Sequence, residues 1–269
     1  MKKLLKVLLV CTMAFTLAAC GGNSGSDGTK EILIGISPDY PPYESLEGKD
    51  MVGFDIDMTK ELFKIMNDNG GNYEYKFKQM SFDTISTSLI SDQIDLGISG
   101  FTMHKDWDVL WSDKYNDSRQ VALVANDSTI TTKADLEGKN IGAQLAATGE
   151  SVANDIKDAK VKAVKDVKVL IETLNSGGID AIILDEAVAK NYVEQGGYKM
   201  LDETLLEEEN LIIANKGSED LIKDINKALA EFIKSDKYQE LKLSGEHKRG
   251  CISCFLHSRQ FDFFTTRGW

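Results

Sequence analysis

The chain has 269 residues, of which 42% are apolar and 28% are charged, and its formal net charge is −12. This length suffices for one large domain or two of ordinary size, and apolar residues occur along the whole chain, which excludes a mostly disordered protein. The acidic balance argues against nucleic acid as a partner, and a multi-pass membrane protein is excluded because no apolar stretch after residue 20 approaches the roughly 18 residues of a membrane span.

The first 28 residues have the pattern of a targeting signal. Lys2, Lys3 and Lys6 precede an uncharged apolar run at residues 7–19 that is too short for a comfortable membrane span. The run ends in LAACG at residues 17–21, which resembles the lipobox of bacterial lipoproteins, in which the cysteine is diacylated at sulfur, for example with palmitate, and becomes the new N-terminus. We therefore expect residues 1–19 to be a signal peptide and residues 20–29 to be a flexible tether lipidated at Cys20. The alternative is an ordinary secretory signal with an incidental cysteine.

Strands and helices alternate through the body of the chain in two similar runs. The first run has predicted strands at residues 30–37, 73–79 and 95–99 and predicted helices at residues 54–67 and 82–91. The second run repeats this order, with strands at residues 140–144, 161–164 and 180–184 and helices at residues 149–157 and 167–175. Such alternation predicts βαβ units around largely parallel sheets, so the expected fold class is α/β.

A short pattern occurs at the same place in both runs. Residues 89–98 (LISDQIDLGI) and residues 174–183 (LNSGGIDAII) share L-x-S-x-x-I-D, followed by an apolar residue, any residue and Ile. The alternative is that connections from a helix to a strand often look alike. Because the pattern falls at equivalent places, we interpret the two runs as two related units.

Two apolar strands, at residues 121–125 and 211–214, bracket the second run. An amphipathic helix at residues 218–234 follows them, with Ser218 as its N-cap. We interpret the second unit as inserted into the first, with the two strands as a hinge, so that lobe 1 comprises residues 30–122 plus 212–243 and lobe 2 comprises residues 123–211. The cleft between the lobes then lies at the carboxyl ends of both sheets, where open α/β sheets bind ligands.

Four strings in this body carry a specific resemblance. They are SPDYPPYE at residues 37–44, GFDID at 53–57, IDLGISGFT at 94–102 and, within 135–150, DLEGK followed by IGAQ and ATGE. In order and spacing they resemble the polar amino-acid family of bacterial type II extracytoplasmic solute-binding proteins, over roughly residues 30–243. The resemblance implies a two-lobe periplasmic-binding-protein type II fold in a lipid-anchored monomer at the outer face of the cell membrane. It also implies capture of an amino acid or related amine for an ABC permease, with no catalytic residues, no cofactor and no metal.

The resemblance further implies which residues of lobe 1 line the cleft. Tyr40 and Phe82 match positions where the family places rings around the bound side chain, with core packing as an alternative role for either residue. Ser99, Gly100 and Thr102 follow a strand end, where backbone amides and hydroxyls suit a ligand carboxylate. The alternative for these three is an ordinary turn from a strand to a helix.

Three site residues are expected from lobe 2. Thr148 and Gly149 open a helix whose unpaired amides suit an anion, and the alternative is simple N-capping by Thr148. Asp185 follows an apolar strand, and in the family this Asp binds the α-ammonium group of the ligand. A carboxylate at such a place is costly unless it is paired, and the ligand cation would be its partner. The alternative is that Asp185 caps the helix that follows it.

One position departs from the family pattern. The family has an Arg shortly after the Gly-x-Thr turn that binds the α-carboxylate with two hydrogen bonds. Counting forward from Gly100 places Trp107 there, whereas counting back from WSD at residues 111–113 places Lys105 there. Lys neutralises a carboxylate but does not fork to both of its oxygens. A substituted amine or an oligocationic compound is therefore a candidate ligand beside a standard α-amino acid.

Residues 244–269 differ in composition from the rest of the chain. The stretch from residue 247 is basic, has no hydrophobic period and contains Cys251, Cys254 and His257, whose spacing is compatible with metal ligands. A zinc site needs a fourth ligand and supporting structure. We therefore interpret residues 244–269 as an aberrant or disordered tail that results from a reading-frame change or an aberrant extension.

Two other functions are alternatives. A cyclohexadienyl dehydratase resembles this fold, but it needs a proton-donating acid and a firm carboxylate clamp in the cleft, whereas Asp185, the one acid placed there, is expected to bind. A lipid-anchored sensor that docks on a membrane receptor would share the lipobox, the two lobes and the cleft. No Ser/His or Cys/His pair and no phosphate-binding loop accompanies the cleft motifs, so we expect a binding protein and not an enzyme.

Overall fold

A computed structural model describes residues 28–247, with the backbone alone at residues 243–247. The predicted signal peptide, Cys20 and the part of the predicted tail that holds Cys251, Cys254 and His257 lie outside the described residues. Within residues 28–247, no helix has the length and apolar character needed to cross a membrane.

The first part of the chain confirms the predicted βαβ order of lobe 1. Its elements are β1 (Lys30–Ile36), β2 (Asp39–Tyr40), β3 (Glu44–Glu47), β4 (Asp50–Val52), α1 (Phe54–Asp68), β5 (Tyr73–Gln79), α2 (Phe82–Ile90), β6 (Leu96–Phe101) and β7 (Leu110–Trp111). β1 pairs in parallel with both β5 and β6. The small antiparallel sheet of β2, β3 and β4 is not predicted from the sequence, because strands of two to four residues carry too few positions for a hydrophobic period.

The second part repeats the order and then returns to lobe 1. Its elements are β8 (Asn116–Ala125), a 3-10 helix (Lys133–Leu136), β9 (Asn140–Gln144), α3 (Thr148–Asn154), β10 (Lys160–Val164), α4 (Val167–Asn175), β11 (Ala181–Asp185), α5 (Glu186–Gln195), β12 (Tyr198–Met200), β13 (Leu206–Ala214), α6 (Glu219–Phe232) and α7 (Asp236–His247). β9 pairs in parallel with β10 and β11, and β8 pairs antiparallel with β11. Ser218 occupies the N-cap position of α6, but its side chain makes no capping hydrogen bond.

The two crossing strands are β8 and β13, and their position corrects the predicted hinge. They pair antiparallel with each other from Asn116↔Asn210 to Gln120↔Leu206. Beyond that segment β8 pairs with β11 and β13 pairs with β6, so the predicted segments 121–125 and 211–214 lie inside the lobe sheets. The crossing segments are residues 116–120 and 206–210. The prediction followed the apolar halves of these strands, whereas the halves that cross are largely polar (NDSRQ and LEEEN).

Each lobe buries an apolar helix face that fixes its sheet. In lobe 1, almost fully buried side chains come from α1 (Met58 and Leu62) and from α6 (Ile225). In lobe 2, α4 buries Leu170 and Leu174 in the same way. Burial of each such side chain contributes about 1.5–3 kcal/mol. This packing holds the carboxyl ends of β6 and β11 on opposite sides of one cleft.

Candidate ligand-binding site

A small cavity of about 20 Å³ lies in the cleft between the lobes, with space for about one water molecule. Six of the nine predicted site residues line it, and they come from both lobes: Tyr40, Phe82, Ser99, Gly100, Thr148 and Asp185. The other residues that line it are Ser37, Asp39, Glu44, Gln120, Gln144 and Ala147. The cavity is therefore where the sequence places the ligand, and the side chains of the protein fill most of the cleft.

Direct contacts between the lobes close the cleft. The Tyr40 hydroxyl donates to Asp185 Oδ1 at 2.8 Å and accepts from the backbone N–H of Asp185 at 3.0 Å. Asp39 Oδ2 accepts from Gln144 Nε2 at 3.1 Å and from the backbone N–H of Val167 at 2.9 Å. These hydrogen bonds join β2 of lobe 1 to lobe 2, so opening of the cleft has to break them.

Asp185 ends β11, and its carboxylate accepts three described hydrogen bonds. Only 5% of the residue is exposed. Its Oδ1 accepts from Tyr40 and, at 2.7 Å, from Gln120 Nε2, while its Oδ2 accepts from Ser118 Oγ at 2.8 Å. Burial raises the pKa of Asp185, and these hydrogen bonds oppose the shift. Asp185 stands at the N-cap position of α5, yet its side chain makes no capping hydrogen bond, so the alternative role as a helix cap does not apply.

The two aromatic residues differ in their surroundings. The Tyr40 ring stacks on the Tyr43 ring at 6.1 Å between centroids, while its hydroxyl faces Asp185. Burial and the negative charge of Asp185 raise the pKa of Tyr40, so Tyr40 remains a protonated donor. The Phe82 ring stacks on the Phe101 ring at 4.9 Å between centroids, as the core alternative expects, and it also lines the cavity.

Ser99 and Gly100 at the end of β6, and Thr102 just after it, already have hydrogen-bond partners within the protein. Ser99 Oγ donates to the Glu44 carboxyl and accepts from the backbone N–H of Ser37 at 3.2 Å. The backbone N–H of Gly100 donates to the Tyr115 hydroxyl at 3.1 Å. Thr102 Oγ1 donates to Glu208 Oε2 at 2.9 Å, and Thr102 does not itself line the cavity. The hydrogens that the sequence assigns to a ligand carboxylate are thus donated to groups of the protein.

Besides Thr102, the structure leaves Lys105 and Gly149 outside the lining of the cavity. Lys105 is exposed and lies outside the residues that line it. Trp107, the other candidate at that place, stacks on Trp111 at 5.9 Å between centroids. Gly149 is also outside the cavity lining, and its role is close packing, because a Cβ atom there would lie 2.6 Å from the backbone oxygen of Ile183.

Six buried polar residues of the cleft are missing from the sequence prediction, namely Ser37, Asp39, Glu44, Gln120, Gln144 and Glu208. Asp39 and Glu44 lie in β2 and β3, within the string SPDYPPYE, and Gln120 and Glu208 lie on the crossing strands. Glu208 is 8% exposed between the exposed residues Glu207 and Glu209. Strand alternation, in which every second side chain turns inward, is the signal that identifies it.

The cleft carries several acidic groups and no basic partner for them. Asp39, Glu44 and Asp185 line the cavity, and no Lys, Arg or His lies among the described residues that line it. Burial raises the pKa of Glu44, with the nearby Asp55 adding to the shift, and burial raises the pKa of Glu208 to about 7. Arg119, the one arginine within residues 28–247, donates to Glu186 and Thr204 instead.

The fold and the cleft define a class, namely a two-lobe protein that binds a solute between its lobes. The model of the family described as bacterial extracellular solute-binding proteins, family 3, matches residues 32–244. The chain belongs to this family.

Known relatives agree with that assignment. The chain is 32% identical to the arginine-binding extracellular protein ArtP of Bacillus subtilis, over 90% of this chain and 97% of that protein. It is 30% identical to the L-cystine-binding protein TcyJ of Escherichia coli, over 78% of this chain and 80% of that protein. The crystal structure of the arginine-, lysine-, histidine-binding protein ArtJ from Geobacillus stearothermophilus superposes with a TM-score of 0.73 at 31% identity, covering 79% of this chain and 94% of that one. These relatives are binding proteins.

Proposed function

We propose that this protein captures a small cationic solute, an amino acid or a related amine, outside the cell and delivers it to an ABC permease without converting it. The observation that carries the proposal is the buried carboxylate of Asp185 in a cleft whose lining includes no basic side chain. Relatives named for arginine and cystine binding support an amino-acid-like ligand.

Opening and closing of the lobes about residues 116–120 and 206–210 would admit and enclose the ligand. In this proposal the ligand cation takes the place of Tyr40 or Gln120 as a partner of Asp185 when the lobes open. A charge-assisted hydrogen bond to an ammonium group is roughly twice as strong as a neutral one. Part of the free energy of closure then comes from the ligand, as in other proteins that close two domains around a ligand.

We also propose that the mature protein is a monomer tethered to the outer face of the cell membrane through lipidated Cys20. The LAACG string after the apolar run supports this anchoring. Replacement of Cys20 by Ser is expected to release the protein from the membrane fraction, and mass spectrometry of the native N-terminus is expected to find a diacylglyceryl group on Cys20. A native N-terminus at any other residue would contradict the proposal.

Calorimetric titration tests the binding function directly. Arginine, lysine, histidine, cystine and simple diamines form the ligand panel, and Asp185→Asn is compared with Asp127→Asn, an exposed acid outside the cleft lining. We expect at least one member of the panel to bind the natural chain and the Asp127→Asn variant equally, and to lose binding in Asp185→Asn. Equal binding by both variants would contradict the proposed role of Asp185.

A further inference from the structure

Four buried acidic side chains surround the cleft. Asp39, Glu44, Asp185 and Glu208 are each at least nine-tenths buried. Gln120 connects two of them, because its Nε2 donates to both Asp185 Oδ1 and Glu208 Oε1. Two carboxylates therefore lie on either side of one amide nitrogen, and every donor described for them is a neutral side chain. A buried carboxylate without a cation is costly, so this arrangement favours a positively charged ligand.

The donors of the cleft are already used. Both described hydrogen bonds of Gln120 Nε2 go to carboxylates, Thr102 Oγ1 donates to Glu208, and Ser99 Oγ donates to Glu44. Gln144 Nε2 donates to Asp39 and, at 3.2 Å, to the backbone oxygen of Lys165. A ligand carboxylate that entered this cleft would meet carboxylates and would have to take each of these side-chain hydrogens from a group of the protein.

The polar atoms that lack a partner are acceptors as well. Gln120 Oε1 and Glu44 Oε2 are buried and have no hydrogen-bond partner among the described residues, and both residues line the cavity. An unpaired buried acceptor costs about 1–3 kcal/mol. Gln120 Oε1 therefore favours a ligand that brings an N–H group. Gln120 Oε1 lies next to Gly149 of α3, where a Cβ atom would come within 3.0 Å of it, and Glu44 belongs to the lobe 1 side, where Ser99 donates to its other oxygen.

The charge to be matched is that of an organic cation. Within residues 28–247, no three His, Cys, Asp or Glu side chains are grouped so that they would hold a metal ion. The rings of Tyr40 and Phe82 line the same cavity and offer apolar surface to a methylene chain. Ammonium groups on a short aliphatic chain satisfy both features.

On the basis of the proposed solute-binding function, we infer that the ligand is a linear diamine or oligoamine without a carboxylate. One cationic group binds at Asp185 and Glu208, and the second binds near Glu44. Glu208 is thus a specificity-determining residue, because its carboxylate takes the hydrogens of Thr102 and Gln120 that a ligand carboxylate would need. The competing explanation is that Glu208 is a stand-in: it accepts these hydrogens only in the ligand-free protein, and the carboxylate of a bound α-amino acid displaces it.

Matched pairs of ligands that differ only by the carboxylate separate these explanations. Arginine is compared with agmatine, and lysine with 1,5-diaminopentane, by calorimetric titration into the purified chain at pH 7.5. We expect the decarboxylated member of at least one pair to bind ten-fold or more tightly than its amino acid. Equal or tighter binding of the amino acids would overturn the inference and leave the solute-binding function intact. Absence of binding by all four compounds would overturn the inference and also count against a cationic ligand.

A variant pair on β13 tests the assigned role of Glu208. Glu208→Gln keeps the size of the side chain and removes its charge, and Glu207→Gln makes the same change at the exposed neighbour. We expect Glu208→Gln to weaken agmatine binding ten-fold or more with little effect on arginine, and Glu207→Gln to change neither. A gain of arginine affinity in Glu208→Gln with unchanged agmatine affinity would show that Glu208 is a stand-in and would overturn the inference. Thermal unfolding of each variant establishes that it is folded.

Discussion

The two lobes use the same turn to enter their third strand, and they differ in the residue that the end of that strand presents to the cleft. In lobe 1 the turn residue Asp92 has φ 57° and in lobe 2 the equivalent Gly177 has φ 71°. The amide of the next residue bonds back into the helix in both turns, from Gln93 to Ser88 and from Gly178 to Thr173, each at 2.9 Å. The shared sequence pattern therefore reflects a shared backbone geometry.

The Asp of the repeated pattern also has the same role in both lobes. In each lobe its side chain accepts a hydrogen bond from a backbone N–H of a neighbouring strand. Asp95 Oδ2 accepts from the backbone N–H of Leu33 at 2.7 Å, and Asp180 Oδ2 accepts from that of Asn140 at 2.8 Å. Towards the end of the strand the lobes differ in the residue that lines the cleft, where lobe 1 presents Ser99 and lobe 2 presents Asp185. The scaffold is thus repeated, and residues near each strand end distinguish the two halves of the cleft.

The largest expected effect comes from exchanging these strand-end residues for Ala. Asp185→Ala leaves a ligand cation buried without its carboxylate, which costs about 3–5 kcal/mol and raises Kd by roughly two to three orders of magnitude or more. Ser99→Ala removes one neutral hydroxyl, worth about 0.5–1.5 kcal/mol. Calorimetry with the best ligand of the panel measures both changes. Lys105→Ala serves as the exposed control, with an expected effect below about 1 kcal/mol. Greater damage from Ser99→Ala or Lys105→Ala than from Asp185→Ala would reverse the assigned orientation of the ligand.

The pH dependence of stability distinguishes the buried acids of the cleft region from ordinary acids. Burial raises the pKa of Glu208 from 4.5, and that of Asp55 from 3.8, to about 7 in both cases. The folded protein therefore binds more protons than the unfolded chain between about pH 4 and pH 7, so its free energy of unfolding falls as the pH rises through this window. We expect the melting temperature of the ligand-free protein to be several degrees lower at pH 8 than at pH 5.

Variants assign this pH dependence to particular groups. Glu208→Gln and Asp55→Asn are each expected to flatten the pH profile, whereas Glu207→Gln is expected to leave it unchanged. A melting temperature that rises from pH 5 to pH 8 would show that neither carboxyl keeps its proton on folding.

The hydrogen bonds of the two equivalent Asp residues, Asp95 and Asp180, are expected to contribute differently to the free energy of unfolding. Leu33 is partly buried, so Asp95→Ala leaves its N–H without a partner at a cost of about 1–3 kcal/mol. Asn140 is exposed and water replaces the lost contact, so Asp180→Ala is expected to cost less than about 1 kcal/mol. Urea unfolding measures both changes, and the Asn variants are controls because they keep one side-chain oxygen. A larger loss from Asp180→Ala would contradict this difference in burial.

A further effect on stability is expected at the turn itself. Gly177 has a positive φ that a β-carbon disfavours by roughly 1–2 kcal/mol. Gly177→Ala is expected to lower the free energy of unfolding by about this amount, and Gly177→Asn by less, because Asn tolerates the left-handed region better. Equal stability of Gly177→Ala and the natural chain, again by urea unfolding, would mean that the turn relaxes.

The sequence predicts the scaffold better than the chemistry of the cleft. Periodicity identifies the sheet strands and the main helices, and Asp185 is predicted from the family resemblance together with the cost of a carboxylate at an apolar strand end. Glu208 is not predicted as a site residue because it lies in a run of acids, LEEEN, that has the composition of a solvent-exposed face. Gln120 is not predicted as a site residue because nothing in the neighbouring sequence distinguishes a neutral amide on a polar strand segment. Both residues acquire their role only through the pairing of β8 with β13, which joins positions about 90 residues apart.

The most direct test of a cation-binding acidic cleft is the proton exchange that accompanies binding. Agmatine is titrated calorimetrically at pH 7 in buffers of different ionisation enthalpy, which gives the number of protons released or taken up per ligand. A bound cation lowers the pKa of Glu208, which is about 7 in the ligand-free protein, so the account predicts a net release of protons. Binding of agmatine with proton uptake, or with no proton exchange, would contradict it.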